Sequence, residues 1–117
     1  NRDSVVVTSL IEAQTPGENG YNIFQNYPNP FNPSTRIRFT LSSEAFVTLK
    51  VYDIRGIQIA TLQDGRLPEG EYEREFTIAD QKPLVNISSG VYFYNLLVRN
   101  ENLVPLFIKT EKMVFLK

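Results

Sequence analysis

Glu71, Glu73 and Glu75 stand at two-residue spacing, the arrangement in this chain best suited to acid–base chemistry. On an extended segment neighbouring carboxylates share a face about 7 Å apart, and glycosidases work with paired carboxylates. Nothing around them marks an apolar pocket that would split their pKa values, so a solvated outer face is the plainer reading. Asp53, Asp64 and Asp80 fall in loop-forming stretches where oxygen ligands for Ca²⁺ can gather, but the dense Asp-x-Asp-x-Asp spacing is missing. Stabilising turns is the simpler role for them. The chain has no His and no Cys. The commonest general acid–base group and the commonest metal ligand are therefore missing. Disulfides, thiolate chemistry and cysteine-held zinc are excluded as well. The chain reads as non-enzymatic, with no catalytic, cofactor-binding or metal-binding residue expected.

Sugar binding stays open longer. Tyr92 and Tyr94 flank Phe93 and on an exposed strand would form a stacking platform, although a core strand explains them more simply. Asn86-Ile87-Ser88 fits a glycosylation sequon, while Asn32-Pro33-Ser34 is barred from it by its proline. A carbohydrate-binding or adhesive module is the alternative reading.

Two further stretches suggest recognition rather than catalysis. The final nine residues, Lys109 to Lys117, hold three Lys against one Glu, a net of +2, so the rest of the chain carries −3. If extended, Met113 and Phe115 share a face with Lys109 and Lys117, and Val114 and Leu116 share the other with Lys112. Lysines commonly blunt an edge strand against aggregation. An apolar edge strand with basic ends also suits strand addition onto another protein, and both readings stay open. The second stretch is Tyr27-Pro28-Asn29-Pro30-Phe31-Asn32-Pro33. Its prolines remove backbone donors and fix φ near about −65°, so it is neither helix nor central strand. We expect a stiff extended lid whose Tyr27 and Phe31 plug one end of the fold. A preset surface for a partner is a compatible second role.

The elements that must position these residues follow from composition and periodicity. A chain of 117 residues suits one domain burying roughly two-thirds of its unfolded surface. A net charge of −1 provides no basic field for nucleic acid. No apolar run reaches about 18 residues, so no membrane span is expected. Eight Phe and six Tyr favour strands. Residues 1–20, ending in the breaker Gln14 to Gly20, read as an arm or linker from an upstream domain, and residues 21–117 as the domain itself. Beginning at Asn1 without a Met, the chain reads as a piece of a longer precursor.

Alternation predicts strands over 35–41, with Ile37, Phe39 and Leu41 inward, and over 46–54, with Val47, Leu49 and Val51 inward. A turn ending at Gly56 returns the chain through 57–62, with further turns at Asp64-Gly65 and Pro68 to Gly70. Residues 71–78 place Tyr72, Phe76 and Ile78 on one face. Residues 91–98 are apolar enough for a strand covered on both faces. Residues 103–117 suit an edge strand, because Pro105 bars a central one, although Phe107 and Ile108 would also fit a helix. The sum is an all-β sandwich of about seven antiparallel strands. A swapped Val5 to Ile11 arm, or edge-strand pairing, would make a dimer of the isolated chain.

Four stretches in order, Tyr27 to Thr35, Val51 to Gly56, Ser89 to Tyr94 and Lys112 to Lys117, resemble the type A C-terminal sorting domain of the Bacteroidota type IX secretion system. The resemblance covers residues 24–117. It implies an immunoglobulin-like β-sandwich that carries a cargo protein through the outer membrane, to the cell surface or the medium. It implies recognition by the outer-membrane translocon and its shuttle proteins, then removal by a sortase-like surface protease. Lys112, Met113 and Lys117, with Val114 and Leu116, match the terminal recognition motif, and Lys109 adds to its basic character. Tyr27, Pro28, Asn29, Pro30, Phe31, Asn32, Pro33 and Tyr92 belong to structural motifs, with Gly56 and Gly90 at turn positions. Two stretches depart from the pattern: Asp80 to Ile87 and Leu103 to Phe107 are both longer than usual. Cleavage is expected between Gln14 and Tyr21, where Gly/Pro-rich backbone is open to protease.

Overall fold

Polar and apolar residues alternate along most of this chain, and the computed structural model shows what the alternation builds across the described residues, 20–78 and 89–117. Seven strands form: β1 (Asn22–Ile23), β2 (Ser34–Leu41), β3 (Ala45–Tyr52), β4 (Gln58–Leu67), β5 (Gly70–Thr77), β6 (Gly90–Arg99) and β7 (Pro105–Phe115). They pair antiparallel in two sheets, β1-β2-β5 and β4-β3-β6-β7. The sheets pack face to face as a β-sandwich. Ile37, Phe39 and Leu41 of β2 point in while Arg36 and Arg38 point out. From the other sheet Val47, Leu49, Val51, Tyr94, Leu96 and Val98 meet them, each at most 3% exposed like their partners. The period of two therefore sorts each strand into a core face and a water face.

Local chemistry sets the hairpins. At the β3–β4 turn the Asp53 carboxylate accepts hydrogen bonds from the backbone N–H groups of Arg55 (2.9 Å) and Ile57 (3.0 Å). Gly56, at φ 88°, adopts the left-handed conformation that closes the turn. Asn100 does the same work between β6 and β7, accepting from the N–H groups of Asn102 and Val104. Across the sandwich, the Tyr94 hydroxyl donates to the Phe24 carbonyl at 2.7 Å, fastening β6 to the segment after β1.

Three expectations need correction. Asp64-Gly65 is no turn: both residues lie within β4, where Asp64 faces Thr48 and Gly65 faces Val47. The ladder offered by β3 outweighs the turn preference of the dipeptide. Strand β6 is covered on one face only. Tyr92, Tyr94, Leu96 and Val98 are buried, while Val91, Phe93, Asn95 and Leu97 are half-buried on an outer face that no third layer covers among the described residues. The proline run is a succession of bends rather than an extended lid, and of its two aromatics only Phe31 is inside, at 1% exposure against 80% for Tyr27. Tyr27 exchanges both backbone hydrogen bonds with Arg36, which turns its ring outward.

The burial of Tyr92 and Tyr94 leaves them no face for stacking sugars. Glu71, Glu73 and Glu75 are exposed on the water face of β5, and Glu73 lies 3.6 Å from Arg36. The 103–117 segment is the edge strand β7, not a helix. The Val5 to Ile11 arm, the Asn86 sequon, Asp80 and the loop 80–87 lie outside the described residues, as does all of the linker before Gly20.

Candidate recognition surface at the terminal strand

β7 pairs with β6 through its odd-numbered residues, Phe115 opposite Gly90 and Met113 opposite Tyr92. Backbone groups of successive strand residues alternate in direction, so the even-numbered residues point away from the sheet. From Lys112 onward, that outer edge is covered by the proline run. The Phe31 N–H donates to the Val114 carbonyl (2.9 Å) and the Leu116 N–H to the Phe31 carbonyl (3.1 Å). The Val114 N–H donates to Asn29 Oδ1 at 3.0 Å, and Gln25 Nε2 to the Lys112 carbonyl at 2.8 Å. Beyond the strand, the Lys117 N–H donates to Ser89 Oγ. Upstream, the outward backbone groups of Ile108 and Thr110 meet no partner among the described residues.

The proline run is itself pinned from beneath. Buried Asn26 donates through Nδ2 to the Pro28 carbonyl (3.0 Å) and to Thr35 Oγ1 (2.9 Å), while Thr35 Oγ1 donates to the same carbonyl. Phe31 then inserts between the sheets, 6.0 Å from the Phe76 ring edge-on and 5.4 Å from Phe115. Gln25 and Asn26 are not among the residues that the sequence points to, and Ser89 enters there only as the first residue of the Ser89 to Tyr94 stretch. Only the position of Gln25 and Asn26 just ahead of a proline run signals such a role.

Within the terminal stretch the side chains divide. Met113 is fully buried and Phe115 nearly so. Lys109 is half-buried on the same face, its ammonium 3.2 Å from Glu111. Lys112 and Lys117 are exposed, Leu116 is 52% exposed and Val114 half-buried. Of the residues expected at the motif, the structure therefore offers Lys112, Val114, Leu116 and Lys117 to a partner through their side chains. Pro28, Asn29, Pro30, Asn32 and Pro33 are exposed around Phe31, and Gly56 is exposed at its turn. Gly90 opens β6, and Tyr92 lies beneath it in the core.

Among the described residues, Tyr94 and Asp53 titrate away from their ordinary values. Burial raises the Tyr94 hydroxyl, a backbone hydrogen bond from Asn26 opposes this, and the Glu111 carboxylate adds to the rise. For Asp53, burial works upward, but the hydrogen bonds from Ile57 and Arg55 and the Arg55 charge together hold its carboxyl below the ordinary 3.8. Among the described residues, no three carboxylates come together as a metal site.

The architecture is a two-layer β-sandwich whose terminal strand is clamped along its outer edge and displays a basic and apolar stripe. The family described as "Secretion system C-terminal sorting domain", of the Por secretion system, matches residues 25–110, and the chain belongs to that family. It is a secretion signal of the type IX system, and proteins that carry it are secreted or displayed at the cell surface. Residues 111–117 lie beyond the matched stretch. No curated protein matches the chain.

Proposed function

We propose that the secretion machinery reads this domain through the exposed side chains of Lys112, Val114, Leu116 and Lys117, held in fixed register by the proline run. Lys109, Met113 and Phe115 act from inside, setting the strand on which the stripe is displayed. The partners are the outer-membrane translocon and its shuttle proteins. A surface protease cuts within Gln14 to Tyr21, so that residues 21–117 are the part removed. The observation that supports this reading is the clamp. Hydrogen bonds with the Gln25 and Asn29 side chains and the Phe31 backbone converge on the backbone of residues 112–116, an outlay of structure that a merely dangling tail would not need.

Deleting residues 112–117 would strip Met113 and Phe115 from the core and confound export with unfolding. The cleaner test carries Lys112→Glu with Lys117→Glu in a cargo precursor, within a host that has the system. Export should fall about tenfold or more, since like charges brought together cost several kcal/mol, while the isolated chain keeps its melting temperature. Undiminished export of this variant would end the proposal. The amino-terminal residue of any released fragment tests the cleavage stretch: a start beyond Tyr21 contradicts it.

A further inference from the structure

The outer face of the four-stranded sheet carries six side chains in a two-row block. Tyr52, Phe93 and Lys112 lie abreast across β3, β6 and β7, with Lys50, Asn95 and Thr110 abreast in the next row. Lys50 and Lys112 hold opposite corners, roughly 12 Å apart between Cα atoms at the usual strand spacing and rise. Neither makes an ion pair with any described residue. Between them, Tyr52, Phe93, Asn95 and Thr110 floor a cleft of about 430 Å³, walled on one side by Asp53, Ile54 and Gly56 of the β3–β4 turn. Ile54 is 69% exposed on that wall. Asn95 Nδ2 is engaged by Thr110 Oγ1 at 2.9 Å, which leaves the floor largely apolar.

We infer that this block is a second part of the recognition surface. It takes an extended protein segment that bears an apolar side chain between two carboxylates. The apolar side chain fills the cleft and sheds water from Tyr52 and Phe93, while the carboxylates meet Lys50 and Lys112. At about 3.3 Å per residue, roughly 12 Å is three to four residues of such a segment. Charge selects the occupant: two uncompensated ammonium groups flank the cleft, so a second copy of this face would set lysine against lysine. The inference rests on the proposed reading of the terminal stripe, because Lys112 is common to both and Val114, beside Val91, continues the surface along β7.

The test uses the cargo precursor in an exporting host, with thermal unfolding of the purified chain for every variant. Lys50→Glu and Phe93→Ser should each cut export about tenfold with melting unchanged. Glu71→Lys, on the opposite sheet, should export as the parent does. Should Lys50→Glu unfold the domain, Lys50→Gln is read in its place and must still lower export. If the folded Lys50 and Phe93 variants export normally while Lys112→Glu with Lys117→Glu fails, the inference is overturned and the terminal stripe stands. If all export normally, both readings fall. If only the Lys50 and Phe93 variants fail, the stripe falls and the two-lysine block falls with it, because Lys112 belongs to both. Binding of polygalacturonate by the purified chain, lost in Lys50→Glu while export is unaffected, would assign the block to acidic sugars and overturn the inference.

Discussion

Phe31 is the one aromatic of the proline run that enters the core, and it touches both sheets, through Phe76 on one side and Phe115 on the other. Phe31→Ala should cost about 3–5 kcal/mol, the usual range for emptying a buried aromatic site, read from the midpoint of urea unfolding. Tyr27→Ala, removing an exposed ring, should change the midpoint little. Tyr94 joins the layers through its hydroxyl, which donates to the Phe24 carbonyl, and Tyr94→Phe should cost about 1–2 kcal/mol by leaving that carbonyl unpaired. Its hydroxyl is held protonated above the ordinary tyrosine range, so the folded state gains below that range and loses the gain as pH rises through it. The alkaline fall in stability should be shallower in Tyr94→Phe. Asp53 has the opposite sign. Its carboxyl is depressed, so its contribution is present above the ordinary carboxylate range and disappears as pH falls through the depressed value. Asp53→Asn should flatten the acid limb of a stability–pH curve.

At the scale of elements, β7 is one strand with two kinds of outer edge. Hydrogen exchange should separate them: the Ile108 and Thr110 amides exchange readily, whereas Val114 and Leu116 are protected by Asn29 and Phe31. Asn29→Ala should release Val114 in particular. Which elements exist was largely legible in the sequence, because alternation at Ile37-Phe39-Leu41 and Val47-Leu49-Val51 admits one orientation against a core. Gly56 and Pro105 spoke through backbone geometry alone. The failures have a common cause. Asp64-Gly65 looks like a turn until its partner is known, and Val91 to Leu97 look buried until the number of layers is known. Local preference reports neither quantity. The surface was legible in part: Lys112 to Lys117 stand together in the chain. The block around Phe93 draws on three strands, and the clamp links Gln25 to Lys112 across a sequence gap that no local pattern spans.

For the molecule as a whole, the two water faces differ in character. The three-stranded side carries Arg36 and Arg38 against Glu71, Glu73 and Glu75, with Arg36 and Glu73 close enough to pair. The four-stranded side carries Lys50 and Lys112, which make no ion pair among the described residues, around aromatic carbon. A partner that needs carboxylates should therefore be weakened by salt, and raising ionic strength should lower capture of the chain more steeply for the parent than for Lys50→Gln. The ends of the described structure are also set far apart along one axis. Tyr21 packs its ring 6.4 Å from Phe107 near the start of β7, and Lys117 closes the other end beside Ser89. Ten residues at about 3.3 Å separate these points by roughly 33 Å. Tension drawn between Gly20 and Lys117 thus runs parallel to β7, so its bonds to β6 share the load in shear instead of parting singly as in a peeling hairpin. A pull along this axis would therefore meet the whole β6–β7 ladder at once.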